Sequence, residues 1–119
     1  ATDITVLVFN SGVDDDEVIR REKRKELFRG ELARKLQILE KNINDNSNWV
    51  IGSDLGLADI AIWRLMGWLS SGMVDGIPTT FLKGYKRIAQ VCSAVDAHPK
   101  IQEWVTQTYP IDYVRGNYH

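Results

Sequence analysis

From Phe28 onward the apolar residues Phe28, Leu32, Leu36, Leu39 and Ile43 recur at steps of four, four, three and four. That spacing draws a single stripe along an α-helix. Upstream, the run DDDE at Asp14 to Glu17 places carboxylates where the exposed amides of a helix N-terminus favour negative charge, so a long helix is expected to begin there. NDNSN at Asn44 to Asn48, whose short polar side chains compete for nearby backbone groups, should end it. Leu57 to Leu69 is apolar nearly all round, which predicts a central, buried helix. After the Gly- and Pro-punctuated connector SSGMVDGIPTT (Ser70 to Thr80), Tyr85, Ile88, Cys92 and Val95 trace another helical stripe. Pro99 is placed to open a last helix carrying Ile101, Trp104 and Val105, and the tail from Tyr109 to His119 reads as irregular. The opening, Asp3 to Asn10, is apolar and β-branched, and the pattern alone allows either a strand or the end of a buried helix. The fold class this predicts is all-α, a compact bundle of about five helices.

A chain of 119 residues fits one domain. With 15 Lys and Arg against 16 Asp and Glu, the net charge of -1 provides no basic field for nucleic acid or an anionic membrane. RREKRKE at Arg20 to Glu26 is interleaved with acids and reads as a solvated helical face rather than a phosphate site. One cysteine, Cys92, and two histidines, His98 and His119, exclude an internal disulfide framework and give no zinc spacing, so no metal is expected. No apolar run approaches the ~20 residues that cross a bilayer, and the opening lacks the flanks of a signal peptide; no membrane insertion and a cytoplasmic setting are the expectation. Cys92, on its apolar stripe with no His or helix start beside it, reads as a buried filler rather than a nucleophile.

The residues that invite a chemical reading lie in LGLADIAIW, Leu55 to Trp63, where an aspartate interrupts an apolar run. Gly56 stands three residues before Asp59, the spacing of a capping box in which the acid accepts the amide of the cap residue. In that register Leu55 precedes the cap and Ile60 is the fourth helical residue, so the pair matches a hydrophobic staple. Gly56 has no hydroxyl to return a bond, leaving half a box. A catalytic carboxylate would want a second acid, a base or a metal ligand in view, and no further acid follows on this helix. The structural role is therefore favoured for Leu55, Gly56, Asp59 and Ile60, and no catalytic residue is assigned. Arg64, five residues on, is the better candidate for a functional or interface ion pair.

WVIGSDLGLADIAIW resembles the pattern with which the C-terminal helical domain of cytosolic glutathione transferases opens its buried helix: an aromatic, an apolar residue and Gly, then Ser/Thr-Leu-Ala-Asp-Ile. GYKRIAQVCSAVDAHPKIQEW is similar to the family's next helices, and the likeness, nearest to sigma- and mu-like members, covers roughly Asp14 to Val105. Gly56 stands where the family usually has Ser or Thr, and Lys86 where it has Pro after the aromatic. The resemblance implies that the opening segment is helix rather than strand, so the chain would begin partway through a helix, as in a fragment or a processed chain. It also implies glutathione as co-substrate, held mainly by a thioredoxin-like domain that these 119 residues do not contain, and these residues alone are expected to be inactive. Ile77-Pro78 is a loop proline rather than the peptide-holding proline of such a domain. The helical half would supply an apolar wall for a hydrophobic electrophile, with Phe9, Ala61, Leu65 and Tyr113 as the chosen wall residues, each weighed against an ordinary core contact. A homodimer or larger protein assembly is implied. The alternative is a non-catalytic assembly module, in which the tryptophans and the tyrosine-rich tail anchor an interface.

Overall fold

The computed structural model describes residues 2–11, 16–43, 49–50, 54–74, 76–113 and 115–119, and these form helices and connecting turns with no strand among them. The helices are α1 (Thr2–Ser11), α2 (Glu17–Leu27), α3 (Ala33–Asn42), α4 (Leu57–Ser70), α5 (Lys86–Ala97) and α6 (Pro99–Thr108). A wide π-helical turn, Phe28–Leu32, joins α2 to α3 without a break, so the two run as one long helix. A 3-10 turn, Phe81–Gly84, leads into α5.

The opening segment settles as a helix, and its burial pattern shows why. Ile4 and Val8, four apart, are buried, while Val6 between them is half exposed. A strand would turn all three to the same side. Asp16 caps α2, its Oδ1 accepting the amides of Val18 at 2.9 Å and Ile19 at 3.3 Å. The expected stripe is buried at Leu32, Leu36 and Ile43 and half-buried at Phe28 and Leu39. Asp14, Asp15 and the Asn44 to Asn48 turn lie outside the described residues.

At the centre of the bundle, α4 packs on α5 and buries Ile62, Trp63, Leu65, Met66 and Leu69. Ile88, Val91, Cys92 and Val95 of α5 meet that face without measurable exposure. Their side chains give the interior the close packing that fixes one arrangement of helices. The connector is anchored rather than loose: Val74 and Ile77 are buried in the same core. Gly76 (φ 81°) lies against the α2 backbone, where a Cβ would stand 2.7 Å from the Arg21 carbonyl oxygen.

The α5 N-terminus is capped from a distance. Tyr85, the residue ahead of it, donates no side-chain cap, and the Glu40 carboxylate of α3 instead accepts the amides of Arg87 and Ile88, the latter at 3.0 Å. The Arg87 guanidinium returns to the carbonyls of Glu40 at 3.4 Å and Ile43 at 3.5 Å, closing the exchange between the two helix ends. α6 begins as its proline predicts, with His98 Nδ1 accepting the Lys100 amide at 3.2 Å.

Candidate ligand cleft

On α4, Ala61, Arg64, Leu65 and Trp68 follow at i, i+3, i+4 and i+7 and share one face. Thr5 and Phe9 of α1, one turn apart, stand opposite. Together they form one side of an open cleft of about 530 Å³, within the size range of small-molecule sites. Phe9 stacks on Trp68 with ring centroids 5.4 Å apart, so the two helices meet through aromatic faces at the cleft floor.

Trp104 and the tail build the opposite side. Trp104 meets Trp63 edge to face at 6.4 Å and Tyr109 at 5.5 Å, and Tyr109 stacks on Tyr113 at 4.5 Å. The sequence pattern suggests an irregular tail, and the tail is irregular, but it is fastened to α4 at several points. Ser70 Oγ, buried, donates to the Met66 carbonyl at 2.7 Å and accepts the Asn117 amide at 2.9 Å. Asn117 Nδ2 donates to the Thr79 carbonyl at 3.0 Å. Asp96 of α5 accepts from Trp63 Nε1 at 3.2 Å and pairs with Arg115.

Two glycines make this docking possible. A Cβ on Gly116 would stand 2.4 Å from the Gly67 Cα, and one on Gly67 would stand 2.6 Å from the Tyr118 hydroxyl. Backbone against backbone leaves no room for any other residue at Gly116. Tyr118 fills the space beside them, buried, and that burial holds its phenol well above the usual tyrosine range. The tail residues that matter carry little sequence signal. Gly, Asn and Tyr in a polar stretch are the composition of a loop, and the partners they meet are more than thirty residues away.

The four wall residues chosen from the sequence all line this one cleft. Phe9 (62 % exposed), Ala61 and Tyr113 (43 % exposed) face open space rather than core, while Leu65 (8 %) is shared between cleft and interior. Arg64 lies at the same wall, exposed, and no carboxylate of the described residues pairs with it. Cys92 is fully buried, and burial together with the nearby Asp96 charge pushes its thiol up to about 12, the opposite of an activated nucleophile.

Asp59 sits behind the cleft, not in it. It is 1 % exposed; Oδ2 accepts the Gly56 amide at 2.8 Å and Oδ1 accepts the Val50 amide at 2.7 Å. Both oxygens are thus turned to backbone, the first at the start of its own helix and the second in the segment nine residues earlier. The bond to Val50 could not be read from the local spacing that marks the bond to Gly56. Leu55 and Ile60 flank this point, half-buried against the core.

No group of described His, Cys, Asp and Glu residues could hold a metal ion, and no described helix is long and apolar enough to cross a membrane. No curated protein and no solved structure matches the chain. The family model described as "Glutathione S-transferase, C-terminal domain" matches residues 2–108, nine-tenths of the sequence and every helix described above. The chain belongs to the glutathione S-transferase C-terminal domain family.

Proposed function

We propose that these residues form the electrophile-binding half of a dimeric, cytoplasmic glutathione transferase, with the cleft between α1, α4, α6 and the tail holding the hydrophobic second substrate. Glutathione would be bound by a thioredoxin-like domain joined to this one, whose hydroxyl or thiol lowers the pKa of the glutathione sulfur. The observation that supports this reading is the cleft itself: its walls are aromatic and aliphatic, and it opens to solvent beside the first helix. Chemically, such a wall removes water from an apolar electrophile and holds it where a thiolate can attack. Catalysis then gains from desolvation and orientation rather than from an acid or base of this domain.

Steady-state kinetics of the full-length protein with glutathione and a chlorodinitrobenzene test the assignment. Phe9→Ala removes one aromatic wall and is expected to raise KM for the aryl halide several-fold while KM for glutathione stays within twofold. An unchanged electrophile KM, or equal changes in both constants, would move the substrate away from this cleft.

A further inference from the structure

Asp96 stands in the last turn of α5, where a helix itself disfavours an acid. The unpaired carbonyls there already carry partial negative charge, and that turn has no basic residue to offset it. The groups that the carboxylate meets lie outside its own helix. One oxygen, Oδ1, accepts both the Trp63 indole Nε1 of α4, at 3.2 Å, and the Arg115 guanidinium of the tail. Trp63 and Arg115 both line the cleft, and Asp96 does not. Trp63 in turn meets Trp104 edge to face, and Arg115 precedes Gly116, the residue seated against Gly67.

We propose that Asp96 is a positioning residue for the cleft: from behind the wall, one carboxylate oxygen sets where the Trp63 indole and the tail stand relative to each other. The assignment rests on the cleft being the second-substrate site proposed above. An indole has one N–H to donate, so its bond to Oδ1 fixes the setting of the ring. The guanidinium keeps its charge at any working pH, so the same oxygen holds the tail by attraction as well as by hydrogen bonding. With Asp96 and Arg115 side chains 31 % and 36 % exposed, water screens the pair, which contributes geometry more than stability. Loss of the carboxylate frees a wall ring and the tail together. A substrate then meets a surface that no longer holds it in one orientation.

The full-length protein and its Asp96→Ala, Asp96→Asn, Arg115→Gln and Phe9→Ala variants are compared by steady-state kinetics with glutathione and chlorodinitrobenzene. Tryptic cleavage after Arg115, followed by mass spectrometry, reports release of the tail in the parent and the Asp96 variants. Asp96→Ala is expected to raise KM for the aryl halide about fivefold, keep KM for glutathione within about twofold, and speed the cleavage. Asp96→Asn keeps an accepting oxygen for the indole and loses the charge that holds Arg115. Its aryl-halide KM should lie between those of the parent and Asp96→Ala, with its tail cut faster than the parent's. Adding Arg115→Gln to Asp96→Ala should raise KM no further, because both act through one oxygen. A role in holding the fold alone would lower the active fraction, which lowers kcat and leaves both KM values in place. An aryl-halide KM equal to the parent's in Asp96→Ala, whether or not the tail is cut faster, overturns the assignment, as do equal rises in both KM values. The same comparison on Asp96→Asn decides the matter if Asp96→Ala does not fold. In either case the cleft reading stands where Phe9→Ala still raises the aryl-halide KM. If Phe9→Ala leaves that KM unchanged, the cleft reading falls and the role given to Asp96 falls with it.

Discussion

A carboxylate that loses its hydration inside an apolar helix start must regain it from the protein, and Asp59 does so through two amides at 2.7 and 2.8 Å. The Gly56 bond ties the first turn of α4 to its own cap, and the Val50 bond ties that turn to the chain before it. Replacing Asp59 by Ala leaves both amides without a partner in a closed space. The expected loss is about 3 kcal/mol of unfolding free energy, since hydrogen bonds to charged groups contribute roughly 1.5–3 kcal/mol each. Urea denaturation of the Asp59→Ala variant measures it, and ligand affinity of the still-folded fraction should match the parent. Intact stability with lost binding would instead make Asp59 a ligand contact. Half of this geometry was legible beforehand: the three-residue spacing from Gly56 is local and follows from helix geometry. The other half depends on how Val50 returns to α4, which no spacing encodes. The same division separates Phe9 and Leu65, whose neighbourhood a resemblance could suggest, from Arg64, whose lack of an acidic partner among the described residues needed three-dimensional placement.

Helix ends show where the pattern of apolar positions stops being informative. The stripe of Tyr85, Ile88, Cys92 and Val95 located α5 because burial follows its 3.6-residue period, all-round apolarity located α4 and Pro99 marked the start of α6, whereas the ambiguous opening could be read only once Val6 was seen to face away from Ile4 and Val8. Caps are a different matter. Asp16 and His98 cap their own helices, Asp16 from within the acidic run that marked the start of α2 and His98 just ahead of the proline that marked the start of α6. The N-terminus of α5 has no local cap and borrows the Glu40 carboxylate from α3, forty-seven residues away in the chain. That makes Glu40 a joint between two helices as well as a cap. Glu40→Ala is expected to lower stability by about 1–2 kcal/mol, with an unchanged urea m-value because the native fold is retained. Glu40→Gln should lie between the two, since it keeps an accepting oxygen and loses the charge that favours a helix N-terminus. If the Glu40→Ala midpoint matched the parent, solvent would be capping α5 equally well and the joint would carry no weight.

Across the whole molecule, the groups whose ionisation the fold most resists are weak acids gathered around α4 and α5. Cys92 is raised from 9.0 to about 12 by burial and the Asp96 charge, Tyr118 is raised by burial foremost, and Tyr85 by burial and then by Glu40. In each case the folded form keeps its proton while the unfolded chain gives it up at the ordinary value. The unfolded state therefore binds fewer protons as pH rises, and stability must fall in that direction. The contribution of Cys92 is intact below pH 9.0 and is lost progressively towards pH 12; those of the tyrosines are lost from their ordinary value of 10.0 upward. Cys92 and Tyr118, the two largely buried groups, can each contribute a slope of up to about 1.4 kcal/mol per pH unit where the unfolded form is ionised and the folded form is not. Thermal melts should thus hold steady near neutrality and fall steeply above pH 9. Cys92→Ala should make that fall shallower from pH 9 upward, and Tyr118→Phe from pH 10, whatever either substitution does to stability at pH 7. The slope is the informative quantity, because cavity formation shifts a melt by the same amount at every pH while a lost titration changes its pH dependence. Parallel curves for parent and both variants would mean that neither Cys92 nor Tyr118 drives alkaline unfolding. Shallower curves would identify the interior around Cys92 and Tyr118, where the tail closes on α4, as the part of the fold that yields first to base.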